Sequence, residues 1–205
     1  MPLIPGRKPL PKYSPERLPL SLLERHRERW KDCTACSLCR SRKHVVLCRG
    51  KIPCDLLLCG EGPGFSEDVV GVPFCGPAGH LLDSIVNRAV PEGVRVAFTN
   101  LVCCIPLTES GEKNSEPDVL CIESCSVRLE EFVEIAAPRL VVAVGTLARD
   151  WLEVGQRYSI KIDREIPRGW IKHPSAILRM NIAQQGLEIQ RATVALRNAC
   201  EEHLE

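Results

Sequence analysis

A three-layer α/β/α fold around a central, mainly parallel four-stranded sheet is the architecture this sequence predicts. Two observations carry it. Three short segments are almost continuously apolar, as strands buried on both faces must be, and a fourth, more mixed segment follows late in the chain. Helical patterns separate them, so each strand is followed by a crossover that covers one face of the sheet.

The elements follow in order. Residues 1–20 are rich in Pro, Lys and Arg and read as an extended arm, and "PLSLLERHRERWKDC" reads as a helix with Leu22, Leu23, His26 and Trp30 on one face. Residues 1–30 are therefore expected to form a basic Pro-rich arm and helix, and residues 31–205 one domain. "CTACSLCRSRKHVVLCRGKIPC" has no sustained period and reads as a loop region organised by its cysteines. "CDLLLCG" (54–60) is the first buried strand, and a Gly-rich loop follows it. "AGHLLDSIVNRAV" (78–90) has helical spacing, "VRVAFTNLV" (94–102) is β-branched and apolar, and residues 116–137 form a long helix broken at Pro138. "LVVAVG" (140–145) is a third strand, with "TLARDWLE" a short helix behind it. "REIPRGWIKHP" is a late strand or strand pair, and residues 187–203 close the chain as a helix.

Composition narrows the function classes. The chain has 205 residues, 44% hydrophobic and 4% aromatic, and no apolar run long enough to span a bilayer. Its N-terminus lacks a continuous apolar signal segment, so an intracellular, cytoplasmic location is expected. The net charge of +1 hides an asymmetry: residues 1–52 hold 13 Lys and Arg against 4 acids, and residues 53–205 hold 14 against 22. A basic third on an acidic body points to an anionic partner, nucleic acid first. Twelve cysteines in a chain of this kind argue for thiolate ligation of a metal or cluster rather than a disulfide scaffold.

Ligand sites in doubly wound sheets lie beyond the carboxyl ends of the strands. Gly60–Gly79, the turn from Asn100 to Cys104, and His173–Arg179 occupy those ends. The first reads "GEGPGFSEDVVGVPFCGPAG". A dinucleotide fingerprint fails because Phe65 stands where the last Gly is needed, and a phosphate loop fails for want of Gly-Lys-Ser/Thr. Glu61, Glu67 and Asp68 would repel a phosphate. The loop instead suits a neutral or cation-developing substrate, with Phe74 as a stacking platform in a rigid turn. The plainer alternative makes Glu67 and Asp68 helix caps and Phe74 a core residue.

"GEGPGFSED..G.PF.G.AG.LLD", "TNLV.C", "P.LVVAVG" and "HPSAILR" resemble, in order and spacing, the iron–sulfur uracil-DNA glycosylases called family 4. "CTACSLCRSRKHVV" resembles that family's opening cysteine segment, and the match covers about residues 33–200. The resemblance implies a [4Fe–4S] cluster on Cys33, Cys36, Cys104 and Cys125, with a structural rather than a redox role. Cys39, Cys103 and Cys121 compete on spacing, and a Cys₄ zinc site is the rival chemistry. Cys48, Cys54, Cys59, Cys75 and Cys200 read as apolar residues without a role.

The implied reaction cleaves the bond between a flipped uracil and deoxyribose through a sugar cation and a departing base anion. Asn100 is assigned to the base edge, Phe74 to stacking, and His173 to a hydrogen bond on the base O2. Glu61 and Glu67 compete for positioning water, and Gly62 lets backbone approach the pocket. Ser175 and Arg179 shape the loop that meets DNA, with Arg179 a phosphate contact or a salt bridge. The stretch from Arg40 to Lys51 offers further phosphate contacts. The expected partner is uracil-containing DNA, single or double stranded, met by a monomer away from membranes.

Two departures matter. The family's Arg-Pro-Pro and Asn-Arg after the third cysteine are replaced by "IPLTESGEKNSEP", and Cys103 stands where Lys is common. They leave open a related enzyme acting on another deaminated or hypermodified base, or a non-catalytic DNA-binding protein that keeps the cluster.

Overall fold

The computed structural model describes residues 19–108, 110–112, 114–153 and 160–204. The proposed arm up to Leu18 lies outside the described residues.

Five strands form one sheet in the order β1-β3-β2-β4-β5. They are β1 (Arg49–Gly50), β2 (Leu56–Gly60), β3 (Val96–Asn100), β4 (Leu140–Val144) and β5 (Arg168–Ile171). The four expected strands are all present and run parallel to one another. The sheet has one more member than the four read from sequence: β1 pairs antiparallel with β3, Arg49 opposite Phe98. Two residues of "CRG" cannot show a period, so this edge strand is defined only by its tertiary partner.

Side chains alternate between the two faces as a strand requires. Leu57, Cys59, Val141 and Ala143 enter one core, and Leu56, Leu58, Leu140, Val142 and Val144 enter the other. Helices α1 (Pro19–Trp30), α4 (Val119–Ala136) and α5 (Thr146–Leu152) cover the first face through Leu23, Leu129, Phe132 and Trp151. Helices α3 (Pro77–Ala89) and α7 (Ile182–Leu204) cover the second through Leu82, Ile85, Leu196 and Cys200. Helix α1 is seated firmly on α4: Leu23 and His26 are buried, and the Trp30 indole donates to Glu131 at 3.0 Å.

Two short helices interrupt what reads as loop. Helix α2 (Phe65–Val70) lies inside the Gly-rich segment and ends at Gly71, whose φ is +79°. Helix α6 (Pro174–Leu178) starts directly after β5, with Pro174 in the first turn and His173 as its cap. No described helix is long and apolar enough to cross a membrane.

Candidate active site and cysteine centre

The three segments at the carboxyl ends of the strands close around one cavity of about 330 Å³. Its walls include Glu61, Gly62, Glu67, Phe74, Asn100, His173, Ser175 and Arg179. The parallel register makes this possible. Gly60 of β2 pairs with Asn100 of β3, so the loops leaving the two strands start side by side. Val144 of β4 pairs with Ile171 of β5, which delivers His173 two residues later.

Two glycines let the groups approach. A Cβ on Gly60 would lie 2.5 Å from Asn100 Oδ1 and 2.6 Å from Phe74 Cζ. Gly145, just beyond β4, has φ +105°, and a Cβ there would lie 2.6 Å from Glu61 Oε1 and 3.2 Å from His173 Cβ. The Gly62 side-chain position faces Val102 and Pro106, at 2.9 and 3.3 Å. Packing against those residues therefore also demands glycine there.

Phe74 is 6% exposed and holds φ +54°, a left-handed conformation rare for a bulky residue. Its ring centroid lies 6.5 Å from that of His173 and 6.0 Å from that of Phe98. The ring is thus a core residue and a cavity wall at once.

The acidic residues divide by their partners. Burial pushes the Glu61 carboxyl above its usual range, helped by Glu116 and opposed by Arg179. Glu67 turns both oxygens to backbone, accepting from Gly64 N–H at 3.0 Å and Gly76 N–H at 3.2 Å. Asp68 is buried and accepts from Lys43 N–H at 2.9 Å, tying α2 to the cysteine segment.

His173 is held well below its usual range, at about 4, first by burial and then by the charge of Arg179. Its Nδ1 accepts from Ser175 N–H at 3.2 Å and faces the Ser175 hydroxyl at 2.8 Å. A backbone N–H can only donate, so Nδ1 is the bare nitrogen and the ring proton sits on Nε2.

Several cavity residues had no signal strong enough to be chosen from sequence. Asn114, Ser115 and Glu116 are such residues: with Pro106 and Pro117 they form a wall of the cavity, and Asn114 donates to Pro63 O at 3.3 Å. Gly145 does not line the cavity but packs behind Glu61 and His173, and a Gly between strand and helix could have suggested it. In the basic stretch, Arg49 is committed inward, bonding Pro73 O at 2.8 Å and Asp83 at 2.5 Å while stacking on Phe98. Arg42 donates to Cys104 Sγ at 3.5 Å. These two arginines are held by the protein's own groups rather than turned to solvent.

The cysteines gather on the α4 side of β3. Cys33, Cys36, Cys103, Cys104 and Cys125 line one small apolar pocket. Cys103 and Cys125 lie 3.6 Å apart, and Cys121 sits 3.4 Å from Ser37 Oγ. Hydrogen bonding with Cys104 and burial push the Cys103 thiol up to about 12, and burial pushes Cys36 up to about 11. Such thiols ionise at neutral pH only with a cation to hold them. Among the described residues, no three His, Cys, Asp or Glu converge closely enough for a single metal ion. Cys48, Cys54, Cys59 and Cys200 are buried, and Cys75 is half-buried.

Beside the thiols lies Arg128, which is 1% exposed. Its Nη1 donates to Thr99 Oγ1 at 3.0 Å, and Nη2 to Asn100 O at 2.6 Å, Leu101 O at 2.9 Å and Cys125 Sγ at 3.7 Å. Its Nε has no partner, and none of the four acceptors is a carboxylate.

Comparison with known proteins gives the same picture at the level of family. Residues 49–197 match the model of the uracil DNA glycosylase superfamily. The chain is 34% identical over 166 residues to the Type-4 uracil-DNA glycosylase of Thermotoga maritima, covering 77% of this chain and 84% of that one. It is 33% identical over 126 residues to the Type-4 uracil-DNA glycosylase of Pyrobaculum aerophilum, covering 62% of each. A match over most of the sheet, including every parallel strand, leaves one conclusion: this chain belongs to the uracil DNA glycosylase superfamily.

Proposed function

We propose that this protein is a monofunctional DNA glycosylase that flips uracil out of DNA and hydrolyses its N-glycosidic bond. The observation that supports it most is the meeting of Glu61, Phe74, Asn100 and His173 on one cavity at the carboxyl edge of the sheet. Its volume, about 330 Å³, lies at the small end of the range for ligand pockets, roughly 300–1,000 Å³.

Each role follows from the group's chemistry. The Asn100 amide offers one donor and one acceptor, which match O4 and N3–H of uracil together. Phe74 stacks against the base. His173 is neutral and carries its proton on Nε2, so it donates a hydrogen bond to O2 as negative charge grows on the departing base. Glu61 is the better of the two carboxylates for positioning water, because both Glu67 oxygens already serve backbone N–H groups. A raised Glu61 pKa makes it a stronger base toward that water. Ser175 fixes the His173 tautomer, and Arg179 stands at the cavity as a phosphate contact.

The thiol pocket fits a [4Fe–4S] cluster held by Cys33, Cys36, Cys104 and Cys125. A four-iron cube places each thiolate on a different corner and does not require four sulfurs to meet at one point, as zinc does. Holding a cluster, these four thiolates would tie the 33–48 segment to the turn after β3 and to α4. Two arginines donating toward its sulfurs, Arg42 and Arg128, suit thiolates rather than thiols.

The test is an anaerobic purification followed by base release from oligonucleotides carrying uracil, hypoxanthine or thymine. Release of uracil alone is expected from a brown protein. Release of hypoxanthine in preference would favour the related-base reading, and binding without release would remove the catalytic one.

A further inference from the structure

Arg128 is a fully buried cation with no carboxylate among its hydrogen-bond acceptors in the described residues. An unpaired charge in a protein interior is strongly unfavourable. Hydrogen bonds to Thr99, Asn100 and Leu101 engage its two terminal nitrogens, leave Nε unpaired among the described residues and do not neutralise the charge. Its Nη2 lies 3.7 Å from the sulfur of Cys125, a proposed cluster ligand. Of its four hydrogen-bond acceptors among the described residues, Cys125 is the one that could carry a negative charge, once ionised as a cluster ligand.

The same side chain touches the reading end of β3. Two of its acceptors are the carbonyls of Asn100 and Leu101, and a third, Thr99 Oγ1, itself donates a hydrogen bond to Leu47 O at 2.8 Å. Asn100 has a side chain in the base cavity and a carbonyl on Arg128. Cys125 lies on α4, one turn before Arg128 itself. One guanidinium therefore spans from the thiol pocket to the strand end that carries the base-reading amide.

We propose that Arg128 is the built-in counter-cation of the cysteine centre and the positioning residue through which that centre holds Asn100 in register. The inference rests on the cluster reading given above. With thiolates in place, their charge fixes the guanidinium, and its planar fork fixes two successive carbonyls of β3. Residues that merely pack would do neither.

The experiment compares the full-length wild-type protein with R128M and R128K, all purified anaerobically. Iron per chain, the midpoint potential of the cluster, and kcat and KM for uracil release are read in each. R128M is expected to shift the midpoint potential negative, because reduction adds negative charge to a site that has lost its cation. It should also lower kcat at least tenfold, since small displacements of a positioned group carry large rate losses. R128K is expected to recover most of the potential but not kcat, because one ammonium cannot serve two carbonyls, a hydroxyl and a sulfur together. An iron-replete R128M with wild-type potential overturns the counter-cation role, and R128K with wild-type kcat overturns the positioning role. If R128M does not accumulate in soluble form, R128K alone decides between the outcomes. A wild-type protein without iron overturns the cluster reading and this inference with it. A wild-type protein with iron but no uracil release overturns only the glycosylase reading, and the potential shift still tests Arg128.

Discussion

The bare nitrogen of His173 caps the helix that follows it. Ser175 N–H lies 3.2 Å from Nδ1, and Ser175 Oγ lies 2.8 Å from it. This places the ring proton on Nε2, and burial holds the ring neutral, with a pKa of about 4.

A pH dependence follows from that number. An ordinary histidine would gain charge near pH 6.5, whereas His173 gains it only near 4. Uracil release is therefore expected to run through pH 6.5 without a break. The unfolded chain binds a proton at His173 before the folded one does, so this residue's contribution to stability is full above about pH 6.5. It is lost as pH falls through the window from about 6.5 to about 4. A pH–rate profile and a proton NMR titration of the imidazole check this, and an inflection near 6.5 in either would contradict it.

Glu61 and Glu67 should separate cleanly. E61Q is expected to lose roughly 10²–10⁴ in kcat, the usual worth of a positioned acid or base. It should leave the melting temperature unchanged or raised, because burial already opposes the Glu61 charge. E67Q replaces one of two backbone-bonded oxygens with a donor, which should cost about 1–3 kcal/mol of stability. Its loss of kcat should be smaller than that of E61Q. Thermal denaturation and single-turnover release on both variants decide, and an E67Q that melts normally but is inactive would reverse the assignment.

Gly145 should matter twice, for backbone and for space. Alanine there meets both φ +105° and a 2.6 Å approach to Glu61 Oε1. G145A is expected to lose stability, by about 1–3 kcal/mol for the strained backbone, and to lose kcat at least tenfold as Glu61 and His173 are pushed apart. G93A is the control: Gly93 has φ +89° with nothing within 4 Å. It should lose stability alone, and an equal loss of kcat in both would remove Gly145 from the site.

Serine variants of the cysteines test the ligand set. C33S, C36S, C104S and C125S are expected to lose most of their iron and their brown colour, while C39S, C103S and C121S keep both. Cys103, 3.6 Å from Cys125 Sγ, is the sharpest case. An iron-free C103S beside an iron-replete C104S would transfer the third ligand by one residue. Chelation of the iron should loosen residues 33–48, read by hydrogen exchange, because their thiols no longer anchor them to β3 and α4.

Periodicity and punctuation settled most of the architecture before any coordinates. Leu56–Gly60 and Leu140–Val144 are continuous apolar runs and Val96–Asn100 is apolar through Phe98, the pattern of parallel strands buried on both faces. Gly, Pro and acidic residues between Gly60 and Gly79 marked an unusual turn, and the motif order pointed to the family. These are local properties, carried by neighbours in the chain. Only the tertiary structure decided which side chains meet. Edge strand β1 has two residues and exists because β3 offers it a partner. The roles of Glu61 and Glu67 look alike in sequence and differ through Gly64, Gly76 and Glu116. Arg128, inside a helix of ordinary composition, is a charge whose oxygen acceptors are 27 to 29 residues away, with its sulfur neighbour Cys125 one turn before it. Electrostatic environment is set by what surrounds a group in space, and burial, pairing and desolvation have no one-dimensional trace.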